Sequence, residues 1–129
     1  MAFEILGLDH VVLRVADMDR MLRFYREVLG CDEERRVDAI GLVQLRAGRS
    51  LIDLIQGKVG RSQPGRNMDH FALRIEPFDE GALRADLEGH GVPVGAVESR
   101  YGADGQGPSL YIEDPEGNTV ELKGPPAST

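Results

Sequence analysis

The chain has no tryptophan and only seven other aromatic residues, four Phe and three Tyr. Aliphatic side chains must therefore fill whatever core it builds. A single cysteine, Cys31, excludes an internal disulfide and suits a reducing compartment. Standing alone, it reads as a small packed residue. No apolar run approaches the roughly 20 residues that a membrane helix needs. The opening "MAFEILGLDH" lacks a basic start, and Glu4 and Asp9 interrupt its apolar stretch, so neither a signal peptide nor an anchor is expected there. Positive charge is also short: the net charge is −7. Nucleic-acid binding needs a basic surface that displaces phosphate counterions, so that class of partner is excluded. The expectation is a cytoplasmic protein that meets small molecules or other proteins, with no membrane partner.

What remains is ordinary for a globular protein: 129 residues, 41% of them hydrophobic and 29% charged. That length allows one domain with a real core and is too short for two independent ones. The informative feature is a repeat. "LDHVVLRV" at residues 8–15 returns as "MDHFALRI" at 68–75, so Asp-His-x-x-Leu-Arg occurs twice, about sixty residues apart. After the first copy, Met18, Met21, Leu22, Tyr25, Val28 and Leu29 recur at helical spacing, with Asp17 placed to cap the start and Gly30 to end it. After the second, Phe78, Leu83 and Leu87 mark a helix face between Asp79 and Gly91.

Short β-compatible runs follow each helix. They are "EERRVDA", "GLVQLRA" and "SLIDLIQ" in the first half, then "VPVGAVESR", "PSLYIED" and "NTVELKG" in the second. "DPEGN" suits a tight turn between the last two. "GKVGRSQPGRN" reads as a linker, "GADGQGP" (102–108) as a second flexible segment, and "GPPAST" as a frayed tail. The resulting expectation is an α+β fold over residues 1–129, with a first βαβββ module at about 1–57. A linker at about 58–67, a second module at about 68–124 and a tail at 125–129 follow. Neither module can bury its apolar faces alone, so the two are expected to pair in one shared, mixed sheet system.

Strand parity then sorts the side chains. Val11, Leu13 and Val15 face the first helix, which leaves His10, Val12 and Arg14 on the other face. Phe71, Leu73 and Ile75 face the second helix, which leaves His70, Ala72 and Arg74. In "LIDLIQ" and "TVELKG", Asp53 and Glu121 stand opposite their aliphatic neighbours at equivalent positions of the repeat. An acid within an apolar strand is costly unless it is paired, exposed or bound to a metal. Two imidazoles and two carboxylates on the open faces suit Zn, Ni, Fe(II), Mn or Co. Three or four such ligands leave coordination positions for water or substrate oxygens. The plainer alternative is that the histidines are structural residues copied by duplication and the acids face solvent. Tyr111 shares the open-face parity and is a candidate pocket wall. Gln44 and Ser109 share it too, with weaker claims. His90, at the end of the second helix, reads as a solvated residue complementing the helix dipole.

With both Asp-His doublets, "FYREVLG" and "YIEDPEGNTVEL" in view, the sequence resembles the vicinal oxygen chelate superfamily across nearly its whole length. That group includes glyoxalase I, fosfomycin-resistance proteins, methylmalonyl-CoA epimerase, extradiol dioxygenases and the metal-free bleomycin-resistance proteins. The resemblance implies paired βαβββ modules forming a cup around a divalent metal, with ligands at His10, His70 and Glu121. It places a fourth ligand at Asp53, where the family's usual "IEL" reads "IDL". The shorter Asp would reach the metal through water, act as a base, or take no part. Arg14 stands where glyoxalase I carries an arginine for its thiol cofactor's carboxylate, and Arg74 has the same parity. Either could grip an anionic group or simply lie at a strand end.

The function implied is a metal-dependent lyase or isomerase of glyoxalase type. It would act on a metal-chelated α-hydroxycarbonyl or thiol adduct, with Glu121 or Asp53 as general base. Glutathione or another thiol would be the cosubstrate. Thiol transfer to an epoxide, extradiol ring cleavage and drug sequestration are the alternatives within the family. Small members commonly pair, so a homodimer is expected.

Overall fold

The computed structural model describes residues 2–57, 67–113, 115 and 119–126. The expected linker, apart from Asn67, and most of the "DPEGN" turn lie outside the described residues. Among the described residues, eight strands and two α-helices make an α+β fold, in the order β1 (Glu4–Val15), α1 (Met18–Arg23), β2 (Asp32–Val37), β3 (Leu42–Ala47), β4 (Ser50–Gln56), β5 (Met68–Glu76), α2 (Glu80–Gly89), β6 (Glu98–Gly102), β7 (Gly105–Glu113) and β8 (Thr119–Lys123). The strands form two runs of four, β2-β3-β4-β1 and β5-β8-β7-β6. In each run the module's first strand pairs in parallel with its last, β1 with β4 and β5 with β8, and the remaining pairs are antiparallel.

The chain forms two compact units: one holds residues up to Asp9 and from His70 onward, the other His10–Asp69. In the smaller unit, Val15, Val43, Leu45 and Leu54 form the core, with Leu13 and Ile52 packed against it beside Met18, Met21, Leu22 and Tyr25. Of the expected inward set, Leu13, Val15, Ile52 and Leu54 are found there, whereas Val11 is not part of this core and Val12, expected on the other face, is buried. Asp17 caps α1 by accepting from the Arg20 amide at 3.1 Å. Beyond Arg23 the helix widens into a π-helical turn, Phe24–Val28, and stops before Gly30, whose φ is +79°. Cys31 packs against the core, as a lone small residue should.

The larger unit repeats the scheme. Ile75, Leu83, Leu110, Val120 and Leu122 are its core, with Phe71, Leu73, Phe78 and Leu87 packed against it. Asp79 caps α2 through the Ala82 amide at 3.2 Å.

Two expectations for this unit are corrected. Residues 92–97 are not strand, and β6 begins only at Glu98. Pro93 has no amide hydrogen to give a ladder. Instead the Arg84 guanidinium takes the carbonyls of Val94 and Gly95, at 3.2 and 3.0 Å, so this stretch is anchored from the helix. The glycine-rich segment 102–108 is not a loose loop either, because it closes the β6–β7 hairpin, with Gly102 paired to Gly105. Its glycines serve close packing. A Cβ on Gly102 would overlap the Asp9 carboxylate and Lys123 Cε, and one on Gly107 would lie 2.6 Å from the Pro125 carbonyl.

Candidate metal and substrate site

In the larger unit, the parallel register of β5 and β8 sets Ala72 opposite Glu121, and β7 sets Tyr111 opposite Glu121 on its other side. His70 and Glu121 are both buried, and His70 Nε2 lies 3.0 Å from Glu121 Oε1. Each thereby offsets the other's loss of water. The Tyr111 ring meets His70 edge to face, 5.2 Å between centroids. The Arg100 guanidinium lies over Tyr111 at 4.3 Å, donates to Ser109 Oγ at 2.7 Å and pairs with Glu98. Tyr111 also lines a cavity of about 820 Å³, with Val92, Val94, Gly95, Ile112 and Thr119 among its other walls.

A second polar group lies further along the same strands. Lys123 is buried, and its Nζ donates to the Gly124 carbonyl at 3.2 Å. Burial pushes its ammonium pKa below the usual lysine range, opposed by the carboxylates of Asp9, Glu121 and Asp104. Asp9, also buried, accepts from the Ala103 amide at 3.0 Å and lies 3.4 Å from Arg74, whose Nε is 3.2 Å from Asp104.

The smaller unit carries the first module's groups. His10 on β1 is buried, with Leu51 as its register partner on β4. Asp53 on β4 is 4% exposed, with Gln44 as its register partner across β3. The Gln44 amide donates to Asp53 Oδ2 at 3.0 Å and its oxygen accepts from Arg35 at 3.3 Å. Arg14 Nη2 is 2.6 Å from Asp69 Oδ1, with both side chains about one-third exposed.

The faces left by the helices are not solvent-exposed at these positions, since Gln44, Asp53, Ser109 and Glu121 are all at most 4% exposed. Arg14 and Arg74 are engaged by carboxylates. His90 is the exposed C-cap of α2, 3.8 Å from Asp86, as its dipole-complementing role requires. Sequence reasoning passed over Arg100, Lys123, Asp9 and Asp69. For the two aspartates the signal was present, because the repeat copies Asp and Arg as faithfully as His.

An α+β chain that writes one βαβββ module twice, with a buried imidazole on the first strand and a buried acid on the last strand of each, defines a class of small two-module proteins. Within that class the chain belongs to the Glyoxalase/Bleomycin resistance protein/Dioxygenase superfamily, whose family model matches residues 7–122. It is 31% identical over 120 residues to Virulence protein STM3117 of Salmonella typhimurium, covering 89% of this chain and 81% of that one. In structure it is similar to methylmalonyl-CoA epimerase from Mycobacterium tuberculosis, with a TM-score of 0.68 at 24% identity over 95% of this chain and 90% of that one. It is also similar to the Mn(II)-bound glyoxalase from Novosphingobium aromaticivorans, with a TM-score of 0.73 at 20% identity over 93% of this chain. The match spans 38% of that longer chain. Among the described residues, no helix is long and apolar enough to cross a membrane.

Proposed function

We propose that this protein is a metal-dependent lyase or isomerase that moves a proton on a small oxygenated substrate. Its ligands to the ion are His10, His70 and Glu121. The observation that carries the reading is the buried His70–Glu121 pair, 3.0 Å apart, at the two positions expected of the second module. Two neutral imidazoles and one carboxylate form a donor set that fits a borderline divalent ion such as Zn, Ni, Mn, Co or Fe(II). Glu121 takes the ligand role, since it is already committed to His70. Asp53 takes the role of base. Its carboxylate is oriented by the neutral amide of Gln44, which holds one oxygen in place without cancelling the charge.

When bound, a divalent ion supplies Lewis acidity that lowers the pKa of the proton beside a chelated carbonyl. The chain's own work is to orient and to exclude water. Asp53 accepts that proton and returns it to the neighbouring carbon, while Tyr111 walls the substrate and the cavity beside it receives an apolar remainder. Cavities of this size suit small ligands. Arg14 and Arg74 were expected to grip an anionic group of the substrate. We assign that task to Arg100 instead, the guanidinium stacked on Tyr111.

The likeness to an epimerase and a glyoxalase supports proton transfer as the reaction type. A homodimer is part of the proposal, supported by Ile5, Leu6 and Leu8, large apolar side chains all more than half exposed on β1.

The test is loss of the methylglyoxal–glutathione hemithioacetal on adding enzyme loaded with Ni or Zn. Turnover is expected, and Asp53→Asn should abolish it while leaving the metal content unchanged. No turnover with either metal, nor after loading with Mn, Co or Fe(II), would remove the glyoxalase reaction. Loss of metal in Asp53→Asn would make Asp53 a ligand and end its assignment as the base.

A further inference from the structure

The repeated motif holds three polar residues, Asp, His and Arg, and the proposed function uses only the histidine. The other two are not idle. Arg14 of the first copy is bound to Asp69 of the second at 2.6 Å, and Arg74 of the second copy lies 3.4 Å from Asp9 of the first. The Asp of each copy thus takes the Arg of the other. Each Asp immediately precedes a proposed ligand, His10 or His70, on its own strand.

We propose that these reciprocal ion pairs are positioning clamps that set the strand registers on which His10 and His70 are presented to a metal ion. This inference rests on the metal-binding reading above. A strand that slips by one residue turns every side chain to its other face. A ligand histidine in the middle of a strand therefore needs its register fixed close by. Backbone bonds alone are uniform along a strand and hold any register of the right parity. A charged pair at one defined offset is not uniform, and a duplicated pair fixes both strands.

The surroundings fit this role. The Arg14 amide donates to the Asn67 carbonyl at 2.6 Å, so backbone and guanidinium of one residue hold two points of the segment that leads to His70. Asp9 is tied a second time, through the Ala103 amide at 3.0 Å. Gly102 leaves the space that its carboxylate fills. Neither clamp is offered as a catalytic group. Each acts through the histidine beside it.

The Arg14–Asp69 pair gives the cleaner test, because its side chains are 34% and 38% exposed and an exposed ion pair adds little to folding stability. Cobalt(II) affinity and the visible Co(II) spectrum are measured for wild type, Arg14→Asp, Asp69→Arg and the Arg14→Asp/Asp69→Arg exchange, with thermal midpoints recorded in parallel. Each single reversal should weaken Co(II) binding about 10-fold or more, the range seen when a group orienting a ligand is lost. It should also alter the spectrum, with a midpoint near that of wild type. The exchange should restore both affinity and spectrum.

Single variants within twofold of wild-type affinity would overturn the clamp, as would an exchange variant no better than the singles. Glu121→Gln separates the clamp from the metal site. If Glu121→Gln weakens Co(II) binding while the reversals do not, the clamp fails and the metal site stands. If wild type binds no Co(II), both fail.

Discussion

Replacing Glu121 by Gln probes the proposed site with little change of volume. The side chain is 1% exposed and lies 3.0 Å from His70 Nε2, so the substitution removes one charged donor from a packed, pre-formed pair. An ion that binds only the folded state stabilises it by about 2.7 kcal/mol when supplied at one hundred times its dissociation constant. Unfolding entropy of about 2.1 cal/mol/K per residue gives about 0.27 kcal/mol/K for the 129 residues. Wild type should therefore melt about 10 °C higher with the metal than without.

If Gln weakens the ion by about 10- to 100-fold, the same metal concentration leaves only about 1.4 to 0.4 kcal/mol of stabilisation. The rise then shrinks to about 5 to 1.5 °C. Scanning calorimetry with and without Zn or Ni reads the difference directly. Any change in the stability of the metal-free variant cancels, because each protein is its own reference. A full 10 °C rise in Glu121→Gln would refute the assignment of Glu121 as a ligand, and no rise in wild type would refute the site.

Three further predictions concern the frame around it. Gly102→Ala places a methyl group against the Asp9 carboxylate and Lys123 Cε, and overpacking of this kind should cost about 1–3 kcal/mol in a urea melt. An unchanged midpoint would mean that the hairpin yields freely. Glu33 accepts two bonds from the Arg36 guanidinium, which hold its pKa below the ordinary glutamate value of 4.5. Its contribution to stability is present above that value and lost as pH falls through the lowered one. Glu33→Gln should therefore be slightly less stable than wild type at pH 7, and the gap should close in acid. A gap that widened in acid would contradict the sign. Leu6→Asp/Leu8→Asp should convert a dimer to a monomer in light scattering, whereas a monomeric wild type would remove the β1 face as an interface.

The helix caps and the inward faces were legible because each depends on a few neighbouring residues. Asp17 and Asp79 sit one turn from the amides they hold. Leu13, Val15, Ile52 and Leu54 separate from Asp53 by parity alone. Residues 92–97 misled because alternation of Val with Pro and Gly imitates a strand, while the bond partner that decides the matter, Arg84, lies on the helix before it. The segment 102–108 misled because glycine signals freedom in a sequence, and here it signals crowding by Asp9, Lys123 and Pro125. The partners of Arg14 and Arg74 were hidden for another reason. Pairing across 55 residues, as between Arg14 and Asp69, depends on the register between distant strands, which no local window contains. Recognition of the repeat pointed to the histidines; the partners of the aspartates before them needed the three-dimensional fold.

His10, His70 and Glu121 are proposed to hold one divalent ion. X-ray absorption at the metal edge, on protein loaded with Zn and freed of excess, tests it most directly. One ion per chain is expected, with scattering from two imidazoles in wild type and from one in either His10→Ala or His70→Ala. A protein that retains no stoichiometric metal, or an ion whose spectrum contains no imidazole, would contradict it.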